Sequence, residues 1–249
     1  MNILDEIVAN TKAKVSIAKE KVSLDDLAST IHSKKIVKSK FKASLKDKDQ
    51  AIIAEIKKAS PSAGIISENF DPVTKAKEYE AFGASALSIL TEEDYFLGST
   101  QYLKDVKKIS KLPILRKDFI VDIYQIYESK FIGSDCILLI ASILSDEELN
   151  DFTQLADTLG LDYIIEVHNE DELKRVQDFS EAIIGVNNRD LKSFTVDIEN
   201  SIRLRQLFNQ DNLFVAESGI KGQSDINKLL QHGINIFLIG ESLMKGDFA

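Results

Sequence analysis

The chain is poor in cysteine and has no long apolar run. Its 249 residues contain a single cysteine, Cys136, so an internal disulfide framework is excluded. Cys136 lies in the apolar run CILLI and is expected to be a buried thiol. No apolar stretch approaches the roughly 20 residues of a membrane-spanning helix. The N-terminus, MNILDEIVANTKAKV, contains acids and is not typical of a signal or transit peptide. We therefore expect a globular cytosolic (cytoplasmic) protein with no membrane partner.

Motifs for metals and nucleotides are also missing. The three histidines, His32, His168 and His232, form neither an HxH nor an HExxH pattern, and there is no GxGxxG or Walker loop. No nucleophilic triad is indicated. His168 follows Glu166 by two residues, and we expect it to act in a loop or behind a site rather than inside a pocket. The sequence therefore predicts no metal site.

Charge is unevenly distributed along the chain. The net charge is −9, yet residues 1–48 contain 11 Lys and 6 acidic residues, giving +5 and leaving −14 for the remainder. Seven lysines lie between Lys34 and Lys48, and Phe41 is the one aromatic residue among them. A nucleic-acid-binding arm is one interpretation of such a run, but no RNA- or DNA-binding signature accompanies it. We expect a solvated basic segment that helps to attract an anionic small molecule, and no nucleic-acid partner.

After residue 50 the sequence alternates short apolar runs with amphipathic helical stretches. The apolar runs predict strands near 51–56, 84–90, 113–117, 135–140, 162–167, 182–187, 213–217 and 235–239. Helices are predicted near 72–82, 99–109, 122–131, 146–159, 170–179, 198–207 and 223–231. Asp71 before Pro72 is typical of a helix start. Glycine is typical of a helix end and follows four of these helices, at Gly83, Gly133, Gly160 and Gly233.

This alternation predicts an α/β fold with a parallel sheet. A chain of this length could form one large or two small domains, but eight strands without a linker favour a closed (β/α)8 TIM barrel. We predict one domain, 1–249, in which residues 1–48 are an N-terminal helical extension. A second helix of that extension is predicted near 23–31. Helical spacing predicts that the first is amphipathic, with its apolar face formed by Ile3, Ile7, Val8, Thr11, Val15 and Ala18.

Charged and amide side chains occur where five of the predicted strands end, and the seventh predicted strand ends with Glu217, Ser218 and Gly219. In a (β/α)8 barrel the carboxyl ends of the strands carry the functional residues, and alternate residues of a strand share a face. The inward face should therefore present Glu55, Lys57, Lys117, Glu166 and Asn187. Buried charges are costly unless they are paired or meet a ligand. A single one would fit a charged surface turn, but their recurrence at the same end of the barrel predicts one pocket.

Glycines follow the seventh and eighth predicted strands, in the segments ESGI and IGES. Gly219 and Gly240 would let backbone N–H groups approach an anion near a helix N-terminus. The loops after these two strands are the common phosphate site of (β/α)8 barrels. Tight turns alone would also use glycine, but two glycines in these two loops favour a phosphate site.

The ordered motifs of the chain resemble those of the indole-3-glycerol phosphate synthase family over nearly the whole length. They are AEIKKASPS, LSILTEEDYFLGS, LRKDFI, EVHNEDEL, IGVNNRDL, AESGI and FLIGESLM. Other phosphate-binding barrels share the glycines of the last two loops, but not ExKxxSPS together with LRKDF. The resemblance implies a carboxy-lyase of tryptophan biosynthesis. Its reaction converts 1-(2-carboxyphenylamino)-1-deoxyribulose 5-phosphate into indole-3-glycerol phosphate, carbon dioxide and water.

The resemblance also implies catalytic roles. Ring closure creates an alkoxide that needs an acid, and the resemblance identifies that acid as Lys117. Glu166 corresponds to the base that assists proton loss and dehydration, with Glu55 in support. Lys57 is the second cation and a candidate acid for the departing hydroxyl, so the division of proton transfers between the two lysines stays open. No metal or organic cofactor is implied, because the anilino nitrogen of the substrate supplies the electrons.

Binding residues follow from the same resemblance. Asn187 and Arg189 correspond to positions near the substrate carboxylate, and Ser62 to a further substrate contact. Four residues correspond to a phosphate cradle, mainly through backbone N–H groups: Ser218, Gly219, Gly240 and Glu241. The apolar wall against the anthranilate ring corresponds to Pro61, Phe96, Phe119, Leu138, Leu191 and Ile239. The implied partner is a phosphorylated small molecule. We expect a monomer and leave weak association with other tryptophan-pathway enzymes open.

The N-terminal segment also resembles this family, in which it covers part of the catalytic face. We expect Ile3, Ile7 and Val8 to contact the mouth of the pocket and the lysines of residues 1–48 to form a positive rim. Two alternative functions are weighed. Phosphoribosylanthranilate isomerase, another sugar-phosphate barrel, would leave the pair of Lys57 and Lys117 unexplained. A degenerate barrel kept as a scaffold would be expected to lose its pocket charges, which are all present.

Overall fold

Eight parallel strands form the centre of the molecule. The computed structural model describes residues 3–190 and 193–248. Within them the strands are β1 (Ala51–Ile56), β2 (Ala59–Ser60), β3 (Gly64–Ile65), β4 (Ala86–Leu90), β5 (Ile114–Lys117), β6 (Cys136–Ile140), β7 (Asp162–Val167), β8 (Ile183–Asn187), β9 (Phe214–Glu217) and β10 (Ile236–Ile239). The eight strands predicted from the apolar runs are confirmed, with starts one or two residues later at six of them.

The sheet closes because its first and last strands pair. Ala51 of β1 is in register with Ile236 of β10, and Ile53 of β1 is in register with Ala86 of β4. The other barrel strands pair in chain order, all parallel, so the predicted (β/α)8 TIM barrel is confirmed. Strands β2 and β3 form a small antiparallel hairpin in the loop after β1, which the sequence patterns do not predict.

Helices cover the outside of the barrel. In the described part of the chain they are α1 (Ile3–Lys21), α2 (Leu24–His32), α3 (Phe41–Leu45), α4 (Pro72–Phe82), α5 (Thr100–Ile109), α6 (Ile123–Ile132), α7 (Asp146–Thr158), α8 (Glu170–Val176), α9 (Glu199–Leu207), α10 (Gln223–Gln231) and α11 (Glu241–Lys245), with a 3₁₀ turn at Ala141–Ile143. The Asp71 side chain caps α4 by accepting from the N–H groups of Val73 and Thr74. None of these helices is long and apolar enough to cross a membrane.

The strand residues divide between two apolar layers by their alternation. Ile53, Leu115 and Ile164 belong to the cluster inside the barrel, whereas Ile52 and Leu87 belong to the layer between the barrel and its helices. Because side chains alternate between faces, residues two positions after Ile53, Leu115 and Ile164 also point inward. Those residues are the charged ones at the carboxyl end.

The N-terminal segment contacts both ends of the barrel. Helix α3, which the sequence patterns do not predict, inserts Phe41 and Leu45 into the interior cluster at the amino end, where both are completely buried. The backbone N–H of Lys42 donates to Asp162 at the start of β7, at 2.8 Å. The basic run around Phe41 therefore crosses the amino end of the barrel.

Candidate active site

A cavity of about 660 Å³ opens at the carboxyl ends of the strands, a size typical of small-molecule sites. It brings together nearly all of the predicted site residues: Glu55, Lys57, Pro61, Ser62, Phe96, Lys117, Phe119, Leu138, Glu166, Asn187, Arg189, Ser218, Gly219, Ile239, Gly240 and Glu241. Leu191, the remaining member of the predicted apolar wall, lies outside the described residues. The site is therefore built from every part of the barrel rather than from one loop.

Lys117 lies at the floor of this cavity between two carboxylates. Its Nζ is 2.6 Å from Glu166 Oε2 and 3.0 Å from Glu217 Oε2. Burial alone would lower the pKa of Lys117, but the charges of Glu166 and Glu217 outweigh burial and raise it. Burial would raise the pKa of Glu166, but the Lys117 charge holds it well below its usual range. The pair is thus an ammonium and a carboxylate at neutral pH.

Glu217 is a residue of the cavity to which the sequence interpretation assigned no role. Burial raises its pKa to about 7, and the nearby charge of Glu166 adds to the rise against the opposing effect of Lys117. Within the described residues its Oε1 is buried without a hydrogen-bond partner and faces Gly185, where a Cβ atom would collide with it. Alternation could have shown that Glu217 points inward, because it follows the inward residue Val215 by two positions.

A second lysine–carboxylate pair lies at the end of β1. Lys57 Nζ donates to Glu55 Oε1 at 2.6 Å, and the Glu55 side chain is almost fully buried. A Cβ atom at Gly240 would come within 2.5 Å of Glu55 Oε1 and 3.2 Å of Lys57 Nζ. The absence of a side chain at Gly240 therefore leaves space for the Glu55–Lys57 pair. Gly240 also belongs to the predicted phosphate loop.

Asn187 connects the floor of the cavity to its rim. Its Nδ2 donates to Glu166 Oε1 at 3.2 Å, and its Oδ1 accepts from the N–H of Arg189 at 3.0 Å. Arg189 reaches toward Glu241, with 3.7 Å between Nη2 and Oε2. The predicted carboxylate-binding pair, Asn187 and Arg189, thus lies next to the Glu166 carboxylate and the predicted phosphate loops.

The loops after β9 and β10 meet at one side of the cavity. Ser218 and Gly219 both have positive φ, 67° and 82°, so the chain turns sharply as it leaves β9. A serine in this region is strained, and such strain is typical of ligand-binding loops. Lys221 and Lys245 also line the cavity. The Lys245 ammonium, 2.7 Å from Glu241, together with Lys57 and Arg189, lowers the pKa of Glu241. The predicted phosphate loops therefore lie near the cationic side chains of Lys57, Arg189, Lys221 and Lys245.

Two aromatic rings form part of the apolar wall. Phe96 and Phe119 have ring centroids 6.0 Å apart in a tilted arrangement. The loop that carries Phe96 is fixed by Glu92, whose Oε2 accepts from the N–H groups of Tyr95 at 2.7 Å and Phe96 at 3.0 Å. The wall is therefore held in place by a buried carboxylate behind it.

Helix α1 lies beside the mouth of the cavity. Ile3, Leu4 and Ile7 line it. Tyr95 Oη donates to Glu6 Oε1 at 2.9 Å, and Lys14 Nζ is 2.7 Å from Asp94 Oδ2, so α1 is tied to the loop that carries Phe96. The expected contacts of Ile3 and Ile7 are confirmed.

Two of the predictions about the mouth of the cavity are wrong. Val8 does not line the cavity, and Leu4 takes that place, because the helical face turned toward the mouth runs through positions 3, 4 and 7. The positive rim is also not supplied by the segment 1–48, whose described lysines are all absent from the lining. Lys42 and Lys48 contact Glu181 and Ser85, next to the amino ends of β8 and β4. The rim lysines are Lys221 and Lys245.

Among the described residues, no cluster of histidine, cysteine and acidic side chains has the arrangement of a metal site. His168 does not line the cavity and lies behind Glu166, as expected.

Comparisons of the sequence with known proteins point to one family. The family model described as indole-3-glycerol phosphate synthase matches residues 4–248. The indole-3-glycerol phosphate synthase of Ruminiclostridium cellulolyticum is 51% identical over 98% of this chain and 94% of its own length. That of Clostridium acetobutylicum is 48% identical over 98% and 92%.

Solved structures show similarity of fold alone. A mutant tryptophan synthase α-subunit of Pyrococcus furiosus has a TM-score of 0.59 at 16% identity, covering 78% of this chain and 89% of that one. Phosphoribosylanthranilate isomerase of Thermotoga maritima has a TM-score of 0.56 at 10% identity, covering 78% and 88%.

Proposed function

Because this chain belongs to the indole-3-glycerol phosphate synthase family, we propose that its cavity carries out that family's reaction with Lys117 as acid and Glu166 as base. The reaction is a carboxy-lyase step of tryptophan biosynthesis. The substrate is 1-(2-carboxyphenylamino)-1-deoxyribulose 5-phosphate, and the products are indole-3-glycerol phosphate, carbon dioxide and water.

Binding divides the substrate among three parts of the cavity. The phosphate lies against the turn at Ser218 and Gly219 and the backbone at Gly240, near the cationic Lys221 and Lys245. The anthranilate ring packs against Phe96, Phe119 and the aliphatic wall that includes Leu138 and Ile239. The ring carboxylate faces Arg189 and Asn187. This division is supported by the apolar and cationic sides of the cavity. It holds the ring carbon close to the ketone.

Lys117 acts in the ring-closing step. The ring carbon that carries the carboxylate attacks the ketone carbon, and the carbonyl oxygen takes up the electron pair. Lys117 stabilises this oxygen and protonates it to a hydroxyl, because an alkoxide is a stronger base than an amine. The raised pKa of Lys117 keeps it charged before the step. Loss of carbon dioxide from the same ring carbon then restores aromaticity.

Glu166 acts in the dehydration that follows. The lowered pKa of Glu166 keeps it ionised and ready to accept the proton that is lost as the new ring double bond forms. The departing hydroxyl takes a proton from a lysine, and Lys57, held by Glu55, is placed for this transfer. Glu217, whose pKa is about 7, can return a proton to Lys117 between turnovers.

The observation that carries this proposal is the contact of 2.6 Å between Lys117 and Glu166 at the floor of the cavity. The test is fluorescence detection of indole-glycerol phosphate from the synthetic substrate, in which the protein contributes no tryptophan background. Lys117→Ala should lower kcat at least about a hundredfold, whereas the exposed Lys108→Ala should not. No product from the unaltered protein, or near-normal kcat in Lys117→Ala, would remove this assignment.

Location and assembly are also proposals. A buried cysteine without a disulfide partner fits the cytosol. A monomer fits a site built entirely within one chain, and light scattering after size-exclusion chromatography tests it. Weak association with other tryptophan-pathway enzymes stays a prediction, which the same method tests with those enzymes added.

A further inference from the structure

A row of alternating charges extends from the barrel interior to α8. Lys117 lies between Glu217 and Glu166, as described above. On the other side of Glu166, His168 Nε2 is 3.3 Å from Glu166 Oε1, an ion-pair contact without hydrogen-bond geometry, whereas His168 Nδ1 is hydrogen-bonded to Glu172 Oε2 at 3.0 Å. The order is therefore carboxylate, ammonium, carboxylate, imidazole, carboxylate. The mechanism above uses the first three groups and leaves His168 and Glu172 without a task.

The position of the imidazole is fixed by its surroundings. The backbone N–H of His168 donates to Glu172 Oε2 at 2.8 Å. The backbone carbonyl oxygen of His168 accepts from Asn200 Nδ2 at 3.0 Å. Asn169 Nδ2 donates to the other oxygen of Glu172 at 2.7 Å. The Glu172 carboxylate therefore cannot turn away without losing these bonds, and it holds the ring in place.

Both ring nitrogens face a carboxylate. A neutral imidazole carries a proton on only one nitrogen, so it would turn a lone pair toward either Glu166 or Glu172. The charged groups that face the ring are Glu166 from β7 and Glu172 from α8, while α9 contributes the neutral Asn200. Burial would lower the pKa of His168, but these two carboxylates raise it to about 10. The ring is an imidazolium at neutral pH.

The two oxygens of Glu166 are thereby divided between two cations. Oε2 contacts Lys117, while Oε1 contacts His168 and Asn187. When Lys117 gives up its proton during turnover, His168 is the cation that still faces Glu166. A carboxylate this deeply buried would otherwise favour its protonated form and lose its use as a base.

We propose that His168 is a positioning residue, an imidazolium clamped between Glu166 and Glu172 that keeps Glu166 ionised and fixes the direction of its carboxylate. This inference rests on the proposed role of Glu166 as the base. His168 does not touch the substrate in this account, because it is not part of the cavity lining in the described structure.

The test compares variants that differ in charge and reach. Neither His168→Gln nor His168→Asn carries the positive charge of the imidazolium. The longer glutamine side chain can keep a neutral donor near Glu166, whereas asparagine reaches only toward Glu172. Glu172→Gln removes the outer carboxylate but leaves the ring. The matched control is Glu170→Gln on the same helix, where Glu170 pairs with Lys174 at the surface. The readout is kcat/KM between pH 3.5 and pH 8, a range that extends down toward the lowered pKa of Glu166, expressed at each pH as the ratio of the wild-type value to the variant value.

Because titration of the substrate affects wild type and variant equally, this ratio reports only the titration of groups in the enzyme. Loss of an opposite charge at this distance raises a carboxylate pKa by about one unit or more. The wild-type-to-variant ratio for both His168 variants should therefore grow toward about tenfold as the pH is lowered through the Glu166 titration. Glu172→Gln should show the same trend more weakly, and Glu170→Gln should show none. A ratio that stays constant from pH 3.5 to pH 8 would mean that His168 only supports the fold.

A second measurement does not depend on activity. In unaltered protein labelled with ¹⁵N-histidine, one of the three imidazoles should keep both protons at pH 8, and His168→Gln assigns that signal. A neutral His168 at pH 7 would overturn the inference. If the unaltered enzyme forms no indole-glycerol phosphate, the proposed function fails; if it is active and the ratios are flat, the clamp alone fails.

Discussion

The two ends of this barrel are both contacted by the same N-terminal segment, but one end is closed and the other is open. At the amino end, α3 buries Phe41 and Leu45 completely in the interior cluster. At the carboxyl end, α1 lies beside an open cavity whose floor contains Lys117, Glu166 and Glu217. One end is filled with apolar side chains, and the other keeps buried charges around empty volume.

This difference separates stability from function within one fold. Apolar burial at the amino end contributes directly to folding. Burying charges is costly, and the carboxyl end compensates by pairing lysine with carboxylate rather than by using apolar residues. Bottom-face residues of such barrels serve stability and top-face residues serve chemistry. Substitutions at the two ends should therefore be separable by measuring turnover and unfolding in the same variants.

The largest effect is expected for the base at the open end. Glu166→Gln keeps the shape of the side chain and removes its ability to accept a proton, so kcat should fall by about 10²–10⁴ with KM little changed. Steady-state fluorescence kinetics measure both constants. An unchanged kcat with a large rise in KM would mean that Glu166 only binds the substrate.

The next effect concerns the closed end and should appear in stability alone. Phe41→Ala removes a completely buried ring and should lower the free energy of unfolding by about 3–5 kcal/mol. Urea unfolding measures this, with Phe131→Ala as control, since Phe131 is half exposed and should change stability by about 0.5 kcal/mol or less. The kcat of folded Phe41→Ala should match that of the wild type; a parallel loss of turnover would break the separation of the two ends.

Removal of the segment at the open end should weaken binding while the barrel stays folded. A chain lacking residues 1–40 keeps Phe41 but loses Ile3, Leu4 and Ile7 from the mouth, so water enters the cavity and charge interactions weaken. KM should rise by roughly tenfold, which corresponds to about 1.4 kcal/mol of binding free energy. We also expect some loss of turnover. In the full chain, Leu4→Ala should raise KM more than Val8→Ala. Full kcat/KM in the truncated protein would show that α1 only packs on the barrel.

The last expected effect is a pH dependence of stability at the open end. The Glu217 pKa is raised to about 7, so the folded protein keeps a proton that the unfolded chain releases near its ordinary value. Folded protein therefore binds more protons between about pH 4.5 and pH 7, and stability falls as the pH rises through that range. Urea unfolding of wild type relative to Glu217→Gln should show this decline and then level off. Parallel curves would mean that Glu217 does not hold a proton there.

The barrel itself could be predicted because parallel strands leave a strong pattern. Both faces of such strands are buried, so each appears as a continuous apolar run between helices, and all eight were located. The inward charges of the cavity followed from alternation, since Lys117 and Glu166 occupy inward positions at strand ends. The binding residues came from the family resemblance, and all of them except Leu191, which lies outside the described residues, line the cavity.

What the sequence did not reveal depends on contacts between distant segments. Helix α3 has five residues inside a lysine-rich run, and nothing local shows that Phe41 enters the barrel. The same run was expected at the open end because its charge suits an anionic ligand, whereas its backbone pairs with Asp162 at the other end. Glu217 was assigned no role, because the segment that contains it was interpreted as a phosphate loop formed by Ser218 and Gly219.

The central claim is that the open end of the barrel holds the substrate with its phosphate between the loops after β9 and β10. Crystals soaked in inorganic phosphate test it most directly. We expect the anion against the backbone N–H groups of Gly219 and Gly240, next to Ser218 and within reach of Lys221 or Lys245. An anion bound reproducibly elsewhere, with this cradle empty or blocked by its own side chains, would contradict the account.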